Sequence, residues 1–165
     1  MADLSDPVAI LRVSPARRLF ATGVQAALGA ILILTAASLP DPGPFGTLIL
    51  VLIGLLSLWQ ASVLYRATAQ GLVLTREGLF LEGGETIALM ADVASVDRGT
   101  FAFKPSNGFL IRLKAPGPRR WLPGLYWRVG TRIGVGGTTS GKAARDMADV
   151  MTILLRDPDA GKPPA

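Results

Sequence analysis

The distribution of apolar and polar positions divides this chain near residue 65. Between residues 19 and 65 there is one charged side chain, Asp41, and it separates two charge-free apolar runs, 19–40 and 42–65. At about 1.5 Å per helical residue, each run reaches roughly 33–36 Å, enough to cross a hydrocarbon core of about 30 Å. The link between them, Leu39-Pro40-Asp41-Pro42-Gly43-Pro44, is suited to a tight turn. Proline cannot continue a helix, and glycine accepts dihedrals that other residues avoid. The pattern predicts a two-helix transmembrane hairpin over 19–65, preceded by a short N-terminal segment, 1–18.

After Arg66 the period changes from helical to alternating. Leu72-Val73-Leu74-Thr75-Arg76 and Leu79-Phe80-Leu81-Glu82 read as strands around a Glu77-Gly78 turn, and Gly83-Gly84 marks a second turn before residues 87–90. Two further strands, 101–104 and 109–114, are predicted to pair through Pro105-Ser106-Asn107-Gly108, because Asn-Gly tolerates positive φ. Ala115-Pro116-Gly117-Pro118 reads as another turn, with short strands expected at 120–122, 126–129 and 131–135. Thr139 or Ser140 can cap a closing helix to about Arg156, with Ala144, Met147, Met151 and Leu154 on one apolar face. Lys142/Asp146 and Arg145/Asp149 are spaced as i,i+4 pairs on its outer side. The tail, 157–165, with three prolines, reads as disordered.

These elements divide the chain into 1–18, the hairpin 19–65, a β domain 66–156 and the tail 157–165. On the opening strand LVLTREGLFLEGG, the central hairpin KPSNGFLIRL and the closing helix SGKAARDMADVMTILL, the chain resembles the bacterial membrane-anchored PH-like proteins. The resemblance covers nearly the whole chain. It is architectural and rests on no catalytic motif. It implies an antiparallel β-barrel or sandwich of six to seven strands, capped by a C-terminal helix and hung from a membrane α-helical hairpin. Most such families are uncharacterised, so the resemblance informs fold more than function. The stretch RRWLPGLYWRVGTRIGVGG departs from a plain short strand through Pro123 and its glycines.

Charge sets the expected orientation. Arg12, Arg17 and Arg18 precede the hairpin, Arg66 and Arg76 follow it, and the turn carries no Lys or Arg. The positive-inside rule then puts both termini in the cytoplasm of a bacterial inner membrane. Ala36-Ala37-Ser38 resembles a signal-peptide cleavage site, but the first run exceeds the usual 7–15-residue apolar region, which favours a retained span. Trp59 and Tyr65 lie near the cytoplasmic end of the second run, where interfacial aromatics belong, and a position facing a partner helix suits Trp59 equally. Along the first run Gly23, Ala26, Ala27 and Ala30 form a small-residue stripe, suited to packing on the second span or on another membrane protein. Neither run holds an Asp, Glu, Lys or Arg, which argues against an ion or proton path; Gln60, near an end, is the strongly polar candidate.

The chain has no Cys and no His. That removes thiol nucleophiles, disulfides, imidazole bases and the usual transition-metal ligands. Neither a catalytic residue, a metal nor a cofactor is expected. Glu77, Glu82, Glu85, Asp92 and Asp97 are the remaining acids near turns and strand edges, with no partner evident from spacing. GGTTSGKA, residues 136–143, comes near a phosphate loop, but Ala143 stands where Mg²⁺ needs a hydroxyl and no βαβ unit surrounds it. A Gly-rich helix cap is the expected role, with Gly137, Thr138 and Lys142 as a possible anion site.

The strongest anomaly is electrostatic. From Arg98 to Arg145 there are ten Lys or Arg and no Asp or Glu, interleaved with Trp121, Tyr126 and Trp127. Arg112, Lys114, Arg119, Arg120 and Arg128 thus predict, with these aromatics, a basic face toward lipid headgroups or an acidic partner. Nucleic acid is disfavoured, because no recognition motif accompanies the charge. The expected function is non-enzymatic: an inner-membrane protein acting as accessory or assembly subunit of a membrane complex, with membrane lipids and another integral membrane protein as partners. The alternatives are an anionic-lipid-surface module and a lipid-modifying enzyme.

Overall fold

The computed structural model describes residues 6–40, 43–98 and 108–157. Two long helices form first: α1 (Pro15–Ser38) and α2 (Gly43–Ala67), both long and apolar enough to cross a membrane. Helix α1 starts four residues before the apolar run. Pro15 occupies its first turn, and the Ser14 side chain accepts from the Arg17 backbone N–H. Proline fits there because that turn has no intrahelical acceptor for an N–H.

The helices are antiparallel and cross at two glycines. A Cβ on Gly29 would lie 2.8 Å from the Gly54 carbonyl oxygen, and one on Gly54 would lie 2.7 Å from Ile33 Cγ1. The buried seam is Thr22, Gly29 and Ala36 on α1 against Gly54, Ser57 and Ala61 on α2. This is not the predicted stripe. Gly23, Ala27 and Ala30 are exposed, Ala26 is half-buried, and a Cβ on Gly23 would meet nothing within 4 Å. Thr22, Gly29 and Ala36 recur every seven residues on one face. Gly23 and Ala30 follow two of them by one residue, about 100° round the helix.

The last four carbonyls of α2 all find donors. Leu64 O accepts from Thr68 N, Arg66 O from Ala69 N and Ala67 O from Gln70 N. The fourth, Tyr65 O, accepts from Arg18 Nε at 3.0 Å, while the Arg18 guanidinium lies 3.7 Å from the Tyr65 ring centroid. A cation from the first turns of α1 thus caps the negative end of α2.

Among the described residues the β domain has seven strands in two antiparallel sheets. β1 (Ala9–Leu11), β2 (Leu72–Leu74), β3 (Gly78–Leu81) and β4 (Thr86–Leu89) pair in that order. A 3₁₀ turn, Met90–Asp92, leads to the second sheet, β5 (Val93–Asp97), β6 (Phe109–Leu122) and β7 (Tyr126–Val135). Helix α3 (Gly141–Arg156) packs against β1, β5 and β6. The shared core is Leu11, Leu72, Leu74, Leu79, Phe109, Ile111, Ile133 and Val135, closed by Met147 and Met151. Ala144 and Leu154 are also buried, so the expected apolar face of α3 is present in full.

Two sequence expectations change. Residues 1–18 are not only a lead-in: Ala9, Ile10 and Leu11 pair with Leu74, Val73 and Leu72 across the whole hairpin. Residues 115–118 are not a turn; β6 runs through both prolines, and its register with β7 shifts on either side of Gly117. Proline survives in a strand at such irregularities, where its missing N–H breaks no ladder bond. The predicted partner of 109–114, residues 101–104, lies outside the described residues.

Replacing Gly54 by Leu should force the crossing apart and cost about 1–3 kcal/mol, as overpacking does. Gly23→Leu should leave stability unchanged. Unfolding of the two proteins in the same detergent checks this.

Candidate functional site

The site is built by the part of β6 and β7 that outruns β5. The pairing of β5 with β6 ends at Leu113, while β6 and β7 stay paired to Leu122 and Tyr126. They form a two-stranded arm whose tip turns at Gly124, with φ +79°. The tip seats against the end of α2. A Cβ on Gly124 would lie 2.9 Å from Thr68 Cγ2 and 3.0 Å from Leu64 Cδ1. The Gly124 carbonyl accepts from Thr138 N at 3.1 Å and Thr138 Oγ1 at 2.9 Å.

Two glycines let large side chains of the arm lie flat. The Arg128 guanidinium covers Gly117, and the Trp127 indole covers Gly134, each occupying the space a Cβ would need. Arg128 Nη1 donates to the Ile87 carbonyl at 3.2 Å, tying β7 to β4, and Arg120 forms an ion pair with Glu85 on the same side. Arg128 Nε is buried without a partner. Tyr126 is buried between these groups. Burial pushes its hydroxyl pKa above 10.0, Glu85 adds to the rise, and Arg120 and Arg128 oppose it.

The basic run is partly neutralised. Arg98 pairs with Asp149 and Arg120 with Glu85, while Lys114 Nζ donates to the Ala91 carbonyl at 2.7 Å. Asp149 was expected to pair with Arg145, one turn away. Packing of α3 over β5 brings Arg98 to it, and Arg145 Nε donates to the Gly141 carbonyl. Glu82 pairs with Arg12 and accepts from Gly71 N, so two of the turn acids have structural partners. Arg112 stands directly across from Arg132, and Arg120 across from Arg128. Arg112, Arg119 and Arg132 are exposed and have no hydrogen-bond or ion-pair partner among the described residues. Trp121 faces Trp127 on the neighbouring strand and is 69% exposed.

Gly137 and Thr138 border one open groove with Ala16, Arg17, Phe20 and Ala21 of α1, and Lys142 is not among its lining residues. Gly137 packs on the Gly124 backbone, Thr138 spends its amide and hydroxyl on Gly124 O, and Lys142 is exposed. The Thr139 carbonyl accepts from Arg17 Nη1 at 2.9 Å, which ties α1 to the β domain. Among the described residues no three His, Cys, Asp or Glu side chains come together as metal ligands would.

One feature of the site escaped the sequence reading. Gln25 Nε2 donates to Gln60 Oε1 at 3.4 Å across the helix pair. These amides, with Trp59, Val63 and Leu64 of α2 and Trp121 and Pro123 of the arm, line a groove of about 130 Å³. The signal was a polar amide inside an otherwise apolar run. Its importance depends on the partner, which pairing across the hairpin supplies.

Replacing Gly117 by Val should evict the Arg128 guanidinium and cost about 1–3 kcal/mol, the range for a buried polar group losing its partner. Arg128→Ala should reduce that penalty, because the displaced group is then absent; a double-mutant cycle reads the coupling. Tyr126 holds its proton more tightly folded than unfolded, so stability should fall as pH rises above about 10. Tyr126→Phe should flatten that alkaline limb, measured by denaturant midpoints from neutral pH upward.

No family model, no curated protein and no solved structure matches this chain.

Proposed function

We propose that the chain is a non-enzymatic inner-membrane protein whose cytoplasmic β domain, a PH-like barrel, serves a membrane complex as an accessory or assembly subunit. The observation that carries this reading is the unused face of α1. Gly23, Ala27 and Ala30 are exposed, because the hairpin packs through Thr22, Gly29 and Ala36 instead. In lipid, helices associate through close backbone approach at small residues, and this face permits it. The β1–β2 pairing supports a topology with both chain ends on one side, and the positive flanks favour the cytoplasm as that side.

A second reading is favoured by the cross-strand pair Arg112–Arg132. Like charges directly opposite destabilise a sheet unless an anion lies near. Anionic headgroups would supply it, at about 1 kcal/mol per basic residue close to the surface. In this reading the domain is a lipid-surface module. A lipid-modifying enzyme is the weakest reading, since the acids Glu82 and Glu85 are engaged in ion pairs.

Extraction in mild detergent should give a species well above 17.3 kDa on a native gel. Ala27→Ile with Ala30→Ile should release the partner while the β domain stays folded. Migration as a lone chain in several mild detergents would sink the subunit reading. For the lipid reading, hydrogen exchange of β6 and β7 should slow in anionic nanodiscs relative to neutral ones. Arg112→Glu with Arg132→Glu, or high salt, should abolish the difference. Reporters fused to each end should both read as cytoplasmic.

A further inference from the structure

The groove between the helix pair and the arm tip has the features of a small-ligand site. Gln25 lies six residues into the apolar run from Leu19, and Gln60 lies five before Tyr65. At about 1.5 Å per residue they sit roughly 7–9 Å inside the ends of the apolar segments. Polar groups left unpaired at that depth cost free energy that water cannot offset. The bond between the two amides uses one donor of Gln25 and one acceptor site of Gln60. The Gln60 NH₂ and the Gln25 carbonyl keep the remaining capacity, a donor and an acceptor.

The walls narrow the choice of occupant. Trp59 and Trp121 are 62% and 69% exposed and flank the opening, offering two indoles to a planar group. No Lys or Arg lines the groove, so a phosphate would meet no counter-charge. Its volume, about 130 Å³, is close to that of an apolar cavity of about 150 Å³ known to admit benzene. A single six-membered ring fits. The mouth, bordered by Trp59 and Gln60 on the exposed side of α2, leaves room for an alkyl tail to continue into lipid.

From these features we infer that the groove binds the ring of a lipid-soluble quinone or quinol. A quinone oxygen accepts from the Gln60 amide, and a quinol hydroxyl donates to the Gln25 carbonyl. The ring lies against Trp121 and Trp59, and Pro123 closes the arm side. The role is binding alone, with no electron transfer by this chain. The inference rests on reading α1 and α2 as membrane-spanning.

The test uses the full chain in nanodiscs and a benzoquinone carrying a decyl tail, which quenches tryptophan fluorescence on contact. Quenching should saturate with the probe. Gln60→Leu should weaken the apparent affinity at least tenfold, and Trp121→Phe should reduce the quenching amplitude. Should Gln60→Leu lose its gel-filtration profile, Gln25→Leu provides the same tenfold criterion. Quenching that rises without saturation and equally in the Gln variants would mean partitioning into lipid and would overturn the site. Displacement of the probe by decanol at equal concentration would overturn the ring requirement. Displacement by phosphatidylglycerol would assign the groove to a phospholipid and overturn the quinone. Carbonate extraction separates the levels: a chain that resists carbonate yet shows no saturable quenching loses this inference and keeps its membrane placement.

Discussion

Three residue pairs, Ala9–Leu74, Ile10–Val73 and Leu11–Leu72, join strands that the whole helical hairpin separates in sequence. The rest of the structure depends on this ladder. It requires α1 and α2 to leave and return at one level, which only an antiparallel pair of similar length can do. It places the first turns of α1 beside the last turn of α2, so Arg18 can cap Tyr65 O, and beside the approach to α3, so Arg17 can reach Thr139 O. Cations near a helix N-terminus oppose its dipole. Here both guanidiniums are turned onto carbonyl groups, one of them at the negative end of the neighbouring helix. Leu11 is also part of the core, so the ladder and the hydrophobic cluster reinforce each other.

A second constraint acts on the arm. Once β6 and β7 outrun β5, neither is held by a third strand among the described residues, and a free two-stranded ribbon is marginal in water. Side chains supply what the missing strand does not. Arg128 crosses Gly117 to the Ile87 carbonyl, Arg120 meets Glu85, and the tip is locked by the Gly124 carbonyl and Thr138. The exposed ion pair adds little by itself in high dielectric. The buried guanidinium and the close glycine contacts carry more, since neither water nor a larger residue can replace them. The same seating brings Trp121 and Pro123 to the Gln25–Gln60 pair, so the arm that completes the domain also completes the groove.

The sequence showed most of the architecture. Two apolar runs marked α1 and α2, alternation marked β2 to β4, and the 3.6-residue period of Ala144, Met147, Met151 and Leu154 marked α3. What it hid was non-local. Ala9–Leu11 is too short to show a period, and its partner lies some 60 residues on. Pro116 and Pro118 carried a strong local turn signal, which pairing of β6 with β7 overrode. Gly23, Ala27 and Ala30 formed a plausible seam by spacing, but the seven-residue recurrence of Thr22, Gly29 and Ala36 met the glycine of α2. For the candidate site, the basic and aromatic residue types were legible. Which of them are compensated was not, because Asp149 and Glu85 come from other elements.

Composition and hydropathy by themselves determined the kind of molecule: an apolar helix pair bearing a basic β domain, without thiols or imidazoles. They could do so because span length, charge exclusion and side-chain period are local properties of a chain. Tertiary structure alone decided which helix face is used, which cations stay unpaired, and that two glutamines and two tryptophans border one groove. Those are relations between residues distant in sequence. They follow from close packing, which is settled only when every element has found its neighbour.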